Sequence, residues 1–349
     1  MQRKIISIDA FGGDKAPKSV FGGMNQYLFQ HGEDSVFFRI FGDQVKLRPL
    51  LKKYKRVARC SEVIHAPDII KSTDKVAEVL RRAQNTSMYM AIKDVREGNS
   101  KAIVSAGNTG VLMALSKISL KTLDGISRPA ITSMLPSGDG DNRVVMLDLG
   151  ANIKCDAENL FDFALMGAVY AEKIGKMTRP KVGILNIGEE DQKGSDVLRD
   201  LNRVLLENKN ALPYEYIGFV EGNDISGGNV QVVVTDGFTG NIVLKTVEGT
   251  ARLIKRVFMD GFKKSILAIL VSFMLVHVFK RLKNKIDPRS YAGAVFIGLN
   301  GFSIKTHGNS DALAFANAIK YASDLISTDF NGEIKKHAEK LTAIKEKLP

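Results

Sequence analysis

The sequence predicts an α/β protein organised around a long cleft, and three observations point there. Two stretches, 101–114 (KAIVSAGNTGVLMA) and 231–246 (QVVVTDGFTGNIVLKT), each run from an apolar strand through a small-residue corner into an apolar helix start. Other apolar runs end in the same mixture of glycine, amide and acidic residues. A length of 349 residues, 44% of them hydrophobic and 31 of them glycine, suits one large α/β unit or two subdomains sharing a cleft.

Residues 4–9 form a first strand, followed by Gly12, Gly13 and Asp14 in a turn and a helix opened by Pro17. Asp9 and Asp14 thus sit at the carboxyl end of a strand, where open sheets place their sites. Asp14 equally suits the cap of a turn or helix. Residues 37–42 read as a second strand, 47–59 as a basic helix, and 75–83 and 87–97 as two more helices.

At 105–110 (SAGNTG) the glycines let a ligand approach the backbone, and the first N–H groups of the following helix lack intrahelical partners. Ser105, Gly107, Asn108, Thr109 and Gly110 therefore make a candidate anion cradle. A turn that serves packing alone is the alternative. The second corner offers Asp236, Thr239, Gly240 and Asn241 in the same arrangement. Neither corner has the Lys-Ser/Thr pair of a nucleotide-binding P-loop or the three spaced glycines of a dinucleotide site. Phosphate held by backbone amides is favoured over a nucleoside triphosphate or NAD.

Between the corners, 143–156 (RVVMLDLGANIKCD) ends a strand at Asp148, Gly150 and Asn152, with Asp156 or Asn159 starting a helix over 160–174. The next ending, 180–194 (PKVGILNIGEEDQKG), crowds Asn186, Glu189, Glu190 and Lys193 into one loop. Lys193 lies off any regular helix face, as a surface lysine or as a cation for substrate. A helix over 196–206 and a strand over 216–221 follow.

Residues 252–289 break the pattern. Their centre, 266–279 (ILAILVSFMLVHVF), spans about 21 Å as a helix, short of the roughly 30 Å hydrocarbon core of a bilayer. Lys263, Lys264, Lys280 and Arg281 flank it. It reads either as a buried hairpin or dimer helix, or as a membrane-surface element in which Leu270, Phe273 and Leu275 touch lipid. The cleft grammar returns at 292–309, where Lys305 and His307 precede a further helix and could meet phosphate. A final helix over 333–345 alternates charges and reads as a solvated tail. The expected organisation is one catalytic unit over 1–330 with a hydrophobic and basic helical insertion at about 252–289, then a charged helix or tail over 331–349.

Lys and Arg outnumber Asp and Glu by 50 to 38, a formal charge of +12 that suits an acidic protein, an anionic membrane surface or nucleic acid. Only Cys60 and Cys155 are present, in no metal-binding spacing, which fits a reducing cytoplasm and predicts no metal.

Taken together, DAFGGD at 9–14, SAGNTG at 105–110, RPA at 128–130, LDLGAN at 147–152, LNIGEE at 185–190 with Lys193-Gly194, DGFTGN at 236–241, NG at 300–301 and HG at 307–308 resemble the bacterial phosphate acyltransferases of phospholipid synthesis. The likeness covers most of the chain in the family's order. Two departures are visible: Phe11 stands where a methionine is common, and AGAV at 292–295 replaces a more usual GGAP. The resemblance implies a three-layer α/β/α modified Rossmann-like fold, related to phosphate acetyltransferases and isocitrate dehydrogenase-like proteins, and a homodimer. It implies transfer of a long acyl chain from acyl carrier protein to inorganic phosphate, without cofactor, for use by a membrane glycerol-3-phosphate acyltransferase. A cytoplasmic protein held at the inner face of the membrane, with no nucleic-acid partner, fits that role.

On this reading Lys193 and Asn241 stabilise the oxyanion, while Asp236 and His307 orient phosphate or move its proton. Asp9, Gly12, Gly13, Asp14, Ser105, Gly107, Asn108, Thr109, Gly110, Asn152, Asn186, Thr239 and Gly240 frame the anion. The rivals are a coenzyme A-dependent phosphate acetyltransferase, a nicotinamide-dependent decarboxylating dehydrogenase, and a non-enzymatic phosphate- or lipid-binding protein at the membrane surface.

Overall fold

Most of the strands are buried on both faces, so alternate residues of each strand serve two separate cores. The computed structural model describes residues 3–138, 143–263 and 293–349. Its strands are β1 (Lys4–Asp9), β2 (Val36–Gly42), β3 (Ser61–His65), β4 (Ala102–Ser105), β5 (Ala130–Pro136), β6 (Arg143–Leu147), β7 (Lys181–Leu185), β8 (Glu215–Val220), β9 (Val232–Val234), β10 (Ala294–Ile297) and β11 (Phe302–Lys305). They form one sheet in the order β3-β2-β1-β4-β11-β10-β5-β6-β9-β7-β8. The first five in that order are parallel to one another, as are the last four. Between them β10 is antiparallel to both β11 and β5, and β5 is antiparallel to β6. The two parallel blocks therefore run in opposite senses.

The helices are α1 (Lys18–His31), α2 (Gln44–Lys53), α3 (Lys55–Arg59), α4 (Val76–Arg82), α5 (Ser87–Arg96), α6 (Thr109–Leu120), α7 (Ala157–Lys173), α8 (Asp196–Glu207), α9 (Asp224–Gly227), α10 (Gly237–Lys263), α11 (Ala312–Ile326) and α12 (Phe330–Lys345). Ile8 of β1, Val104 of β4, Leu147 of β6 and Ile304 of β11 share one core with α1, α7 and α11. Ile103, Met146, Val233 and Phe296, one residue out of phase, share the other with α5 and α6. The result is the expected three-layer α/β/α sandwich.

Several elements differ from the sequence reading. The helix expected over 47–59 is two, because Tyr54 leaves the helical region at φ −102° and ψ 73°. Strand β3 was not anticipated: it closes one edge of the sheet and is only half-buried, so it lacks a solid apolar run. The last helix is not a solvated tail. Phe330, Ile334, Ala338, Leu341 and Ile344 recur at helical spacing and are buried beside α7, beneath the charges that dominate the sequence pattern. Lys345 seals that contact through ion pairs to Asp162 at 2.8 Å and Glu158 at 2.9 Å. Residues 252–263, expected to open the insertion, simply continue α10. The rest of that segment, with Leu270, Phe273 and Leu275, lies outside the described residues. No helix among the described residues is long and apolar enough to cross a membrane.

Candidate functional site

Strand alternation places Asp9, Ser105, Lys305 and Asp148 on the same side of the sheet as α5, α6 and α10. Each follows a residue (Ile8, Val104, Ile304, Leu147) that points into the opposite core. Asp9, Ser105 and Lys305 are the last residues of β1, β4 and β11, and Asp148 follows directly on β6.

The first knot joins the ends of β1, β4 and β11. Asp9 is buried, and its two oxygens accept from the hydroxyls of Ser87 and Ser105, each at 2.6 Å. Burial pushes the Asp9 carboxyl above its usual range, against those hydrogen bonds. Ser105 Oγ also accepts from the Gly107 amide at 3.0 Å. A Cβ on Gly12 would stand 2.5 Å from Asp9 Oδ2 and 2.7 Å from the Gly107 nitrogen, so only glycine closes this corner. The Asp14 amide donates to the Gly308 carbonyl at 2.7 Å, tying in the loop after β11. Asn108 caps α6 by accepting from the Val111 amide, and its own amide donates to the Ser72 and Asp74 carbonyls. Thr109 and Gly110 then head the helix, exposed.

The second knot joins the end of β6 to the start of α10. Asp148 accepts from the amides of Ile131, Gly150, Ala151 and Asn152 and from the Asn152 side chain, at 2.7–3.1 Å. Asn152 also donates to the Pro129 carbonyl at 2.8 Å. Gly237 and Gly240 let α10 begin against this turn: a Cβ on Gly240 would lie 1.9 Å from the Asp148 carbonyl oxygen. Asp236 caps the helix, taking the Thr239 amide on one oxygen and its hydroxyl on the other.

Between the knots lies a cavity of about 480 Å³ over β5. Ile131, Leu135, Leu149, Leu244, Val247 and Ala251 make its walls apolar, and Thr109, Asn241, Lys305 and His307 bring polar atoms to it. Lys305 is 7% exposed, and its ammonium donates to the Thr306 carbonyl. Burial, reinforced by the Lys245 charge, pushes its pKa down to about 8, with Asp14 and Asp9 opposing. Glu248, also buried, faces His307 Nε2 at 3.3 Å and Lys245 Nζ at 3.0 Å. Its hydrogen bond with His307 is the largest influence on its pKa, which falls to about 2.

Thus the structure gathers most of the sequence candidates into two corners and brings Thr109, Asn241 and His307 to the cavity they flank. Asp9, Asn152 and Asp236 spend their polar atoms on holding those corners. Asn186 and Lys193 belong to another loop, where the Asn186 side chain donates to the Lys193 carbonyl, and neither lines the cavity. Sequence reasoning missed Lys245 and Glu248. Their signal was an i,i+3 charge pair on the helix that leaves the second corner, an ordinary surface pattern until the fold turns it toward His307. Among the described residues no group of three or more His, Cys, Asp or Glu side chains is placed to hold a metal ion.

A family model described as fatty acid synthesis protein matches residues 4–333. The chain is 46% identical over 346 residues to a phosphate acyltransferase of Rhodospirillum centenum, covering 99% of this chain and 96% of the relative. The chain belongs to the phosphate acyltransferase family. A second phosphate acyltransferase, from Paramagnetospirillum magneticum, is 43% identical over 336 residues, with 96% of this chain and 94% of that relative covered. Among solved structures, a phosphotransacetylase of Streptococcus pyogenes superposes with a TM-score of 0.62 at 17% identity, over 94% of this chain and 95% of that one. That likeness concerns the fold: the family's α/β/α sandwich is shared with phosphotransacetylases. Membership makes this chain an acyltransferase of fatty-acid and lipid synthesis.

Proposed function

We propose that the cavity transfers an acyl group from the thioester of an acyl carrier protein to inorganic phosphate, giving acyl phosphate and the free thiol carrier. The observation that carries this reading is Lys305, a buried cation at an apolar trough. Phosphate needs a desolvated positive site, whereas an acyl chain needs apolar walls, and here the two adjoin. The phosphate oxygen attacks the thioester carbonyl, and the resulting oxyanion is met by polar groups at the corners, Asn241 and the first amides of α6 among them. A thiol leaves readily because its reference pKa is only about 8.5. Phosphate and thioester held together in one trough gain the large advantage of proximity.

An acidic carrier would be steered by the formal charge of +12. We extend the reading to a homodimer at the inner face of the cell membrane that hands its product to a membrane glycerol-3-phosphate acyltransferase. Exposed Leu253, Ile254 and Val257 on α10, which leads into the apolar 266–279 stretch, support a contact of that kind.

The test is acyl phosphate formation from long-chain acyl carrier protein and phosphate, trapped as the hydroxamate. Product that requires phosphate and prefers the carrier thioester supports the proposal. A preference for acetyl-coenzyme A would move the assignment to a phosphate acetyltransferase, and absence of product with either donor would refute acyl transfer to phosphate.

A further inference from the structure

The reaction proposed above gives no task to Glu248, a carboxylate 8% exposed in the wall of the cavity. Burying a carboxylate is costly unless it is paired, and this one is paired twice. Oε1 faces His307 Nε2 at 3.3 Å, and Oε2 faces Lys245 Nζ at 3.0 Å. The pairing fixes the chemistry of the imidazole. A nitrogen that donates to a carboxylate must carry a proton, so in the neutral ring the other nitrogen, Nδ1, keeps its lone pair. The His307 side chain is 43% exposed and lines the same cavity as Lys305.

We propose that Glu248 is a positioning residue that holds the His307 imidazole so that its Nδ1 relays a proton from the attacking phosphate to the departing thiolate. The inference rests on the acyl-transfer reading above. An oxygen of hydrogen phosphate dianion forms a bond to the thioester carbonyl carbon, and the π electrons move to the carbonyl oxygen. The P–OH proton passes to Nδ1. Collapse of the tetrahedral intermediate restores the carbonyl and breaks the C–S bond, the electron pair leaving with sulfur. Nδ1 then gives its proton to that sulfur. Hydrogen phosphate and thioester become acyl phosphate and thiol, with nothing oxidised or reduced.

The surroundings suit a relay. Lys245 on α10 faces Glu248, and Lys305 of β11, which feels Lys245 and, in the opposite sense, Asp14 and Asp9, lines the same cavity. Glu248 remains ionised under the influence of His307 and Lys245, so it orients the ring and stabilises the imidazolium without taking the proton itself. Lys305 supplies charge for phosphate two residues away in sequence from the imidazole that handles its proton.

The experiment uses full-length protein, a long-chain acyl carrier protein and inorganic phosphate, with acyl phosphate read as hydroxamate. For His307→Ala we expect kcat to fall about 100-fold with the phosphate KM within about twofold of wild type, and added imidazole to restore about tenfold. Glu248→Ala loses kcat similarly but is not restored by imidazole, and Glu248→Gln, whose amide oxygen still accepts from Nε2, keeps more activity than Glu248→Ala. Urea denaturation of each variant separates these effects from unfolding, and His307→Gln serves as a second variant if His307→Ala is unstable. Active wild type beside His307→Ala or His307→Gln within threefold in kcat, or no response of His307→Ala to imidazole, overturns the relay alone. A folded Glu248→Ala within threefold of wild type, or a Glu248→Gln no better than Glu248→Ala, overturns the positioning role of Glu248. A wild-type protein that makes no acyl phosphate overturns the acyl-transfer reading, and the relay with it.

Discussion

Replacing Lys305 by Met should make the protein more stable and less able to hold phosphate. The ammonium is buried, and its pKa lies at about 8 against an ordinary 10.5. A shift of that size corresponds to about 3 kcal/mol of unfavourable charging in the native state. Met removes the charge at a similar side-chain length, but it forfeits the charged hydrogen bond to the Thr306 carbonyl, worth about 2 kcal/mol. The expected net gain at pH 7 is about 1 kcal/mol. Its pH dependence is specific. Below pH 8 both native and unfolded chains hold the proton, so the wild type bears the full penalty. Between pH 8 and 10.5 the unfolded chain holds more protons than the native one, so wild-type stability rises with pH. The advantage of Lys305→Met should therefore shrink across that window. Urea denaturation in phosphate-free buffer at pH 7 and pH 10 measures both quantities. Adding phosphate should then raise the wild-type midpoint and leave that of the variant unchanged. A variant less stable than wild type at pH 7, or an advantage equal at both pH values, would refute the reasoning.

Two further substitutions probe the frame. Gly240→Ala puts a methyl group 1.9 Å from the Asp148 carbonyl oxygen, so although alanine favours helix by about 1 kcal/mol we expect a net loss of about 2 kcal/mol in urea denaturation. A wild-type midpoint would show that the second knot yields easily. Lys345→Met leaves Asp162, which is buried, with only the Ser127 amide and hydroxyl as donors, and should lower stability by about 3 kcal/mol. Limited proteolysis should then cut first within α12; an unchanged digestion pattern would argue against Lys345 as its anchor.

The corners were legible in the sequence because their residues are small or polar where strands end, and such residues have few other uses at that position. Ser105, Gly107, Asn108 and Thr109 read as a helix start because local chemistry makes one: Asn108 does cap α6. The charged end of the cavity was harder to see. Lys305 and His307 were noticed, but Glu248 lies 59 positions from His307, and only the sheet order brings α10 against the loop after β11. Lys193 drew attention for its unusual loop, yet that loop follows β7, near the far edge of the sheet, away from the cavity over β5. The hairpin of β10 and β11 was half seen, since β11 (FSIK) gives one face to the core and turns Ser303 and Lys305 the other way. The last helix misled because its charges are frequent and its buried residues sparse, one in each turn.

That hairpin also sets when the protein can first exist as a single object. Strands β3, β2, β1 and β4 pair among themselves, as do β5, β6, β9, β7 and β8, and among the described residues β10 and β11 join the two groups in the sheet. A ribosome adding roughly 5–20 residues per second needs about 10–40 s to travel from Ser105 to Phe302. Through that interval β4 presents a bare edge, and β5 does so from its own completion until β10 is made, each open to chaperones or to a neighbouring chain. The segment that closes both edges is the one carrying Lys305 and leading to His307, so a nascent chain acquires its chemistry in the same event that removes its exposure to aggregation.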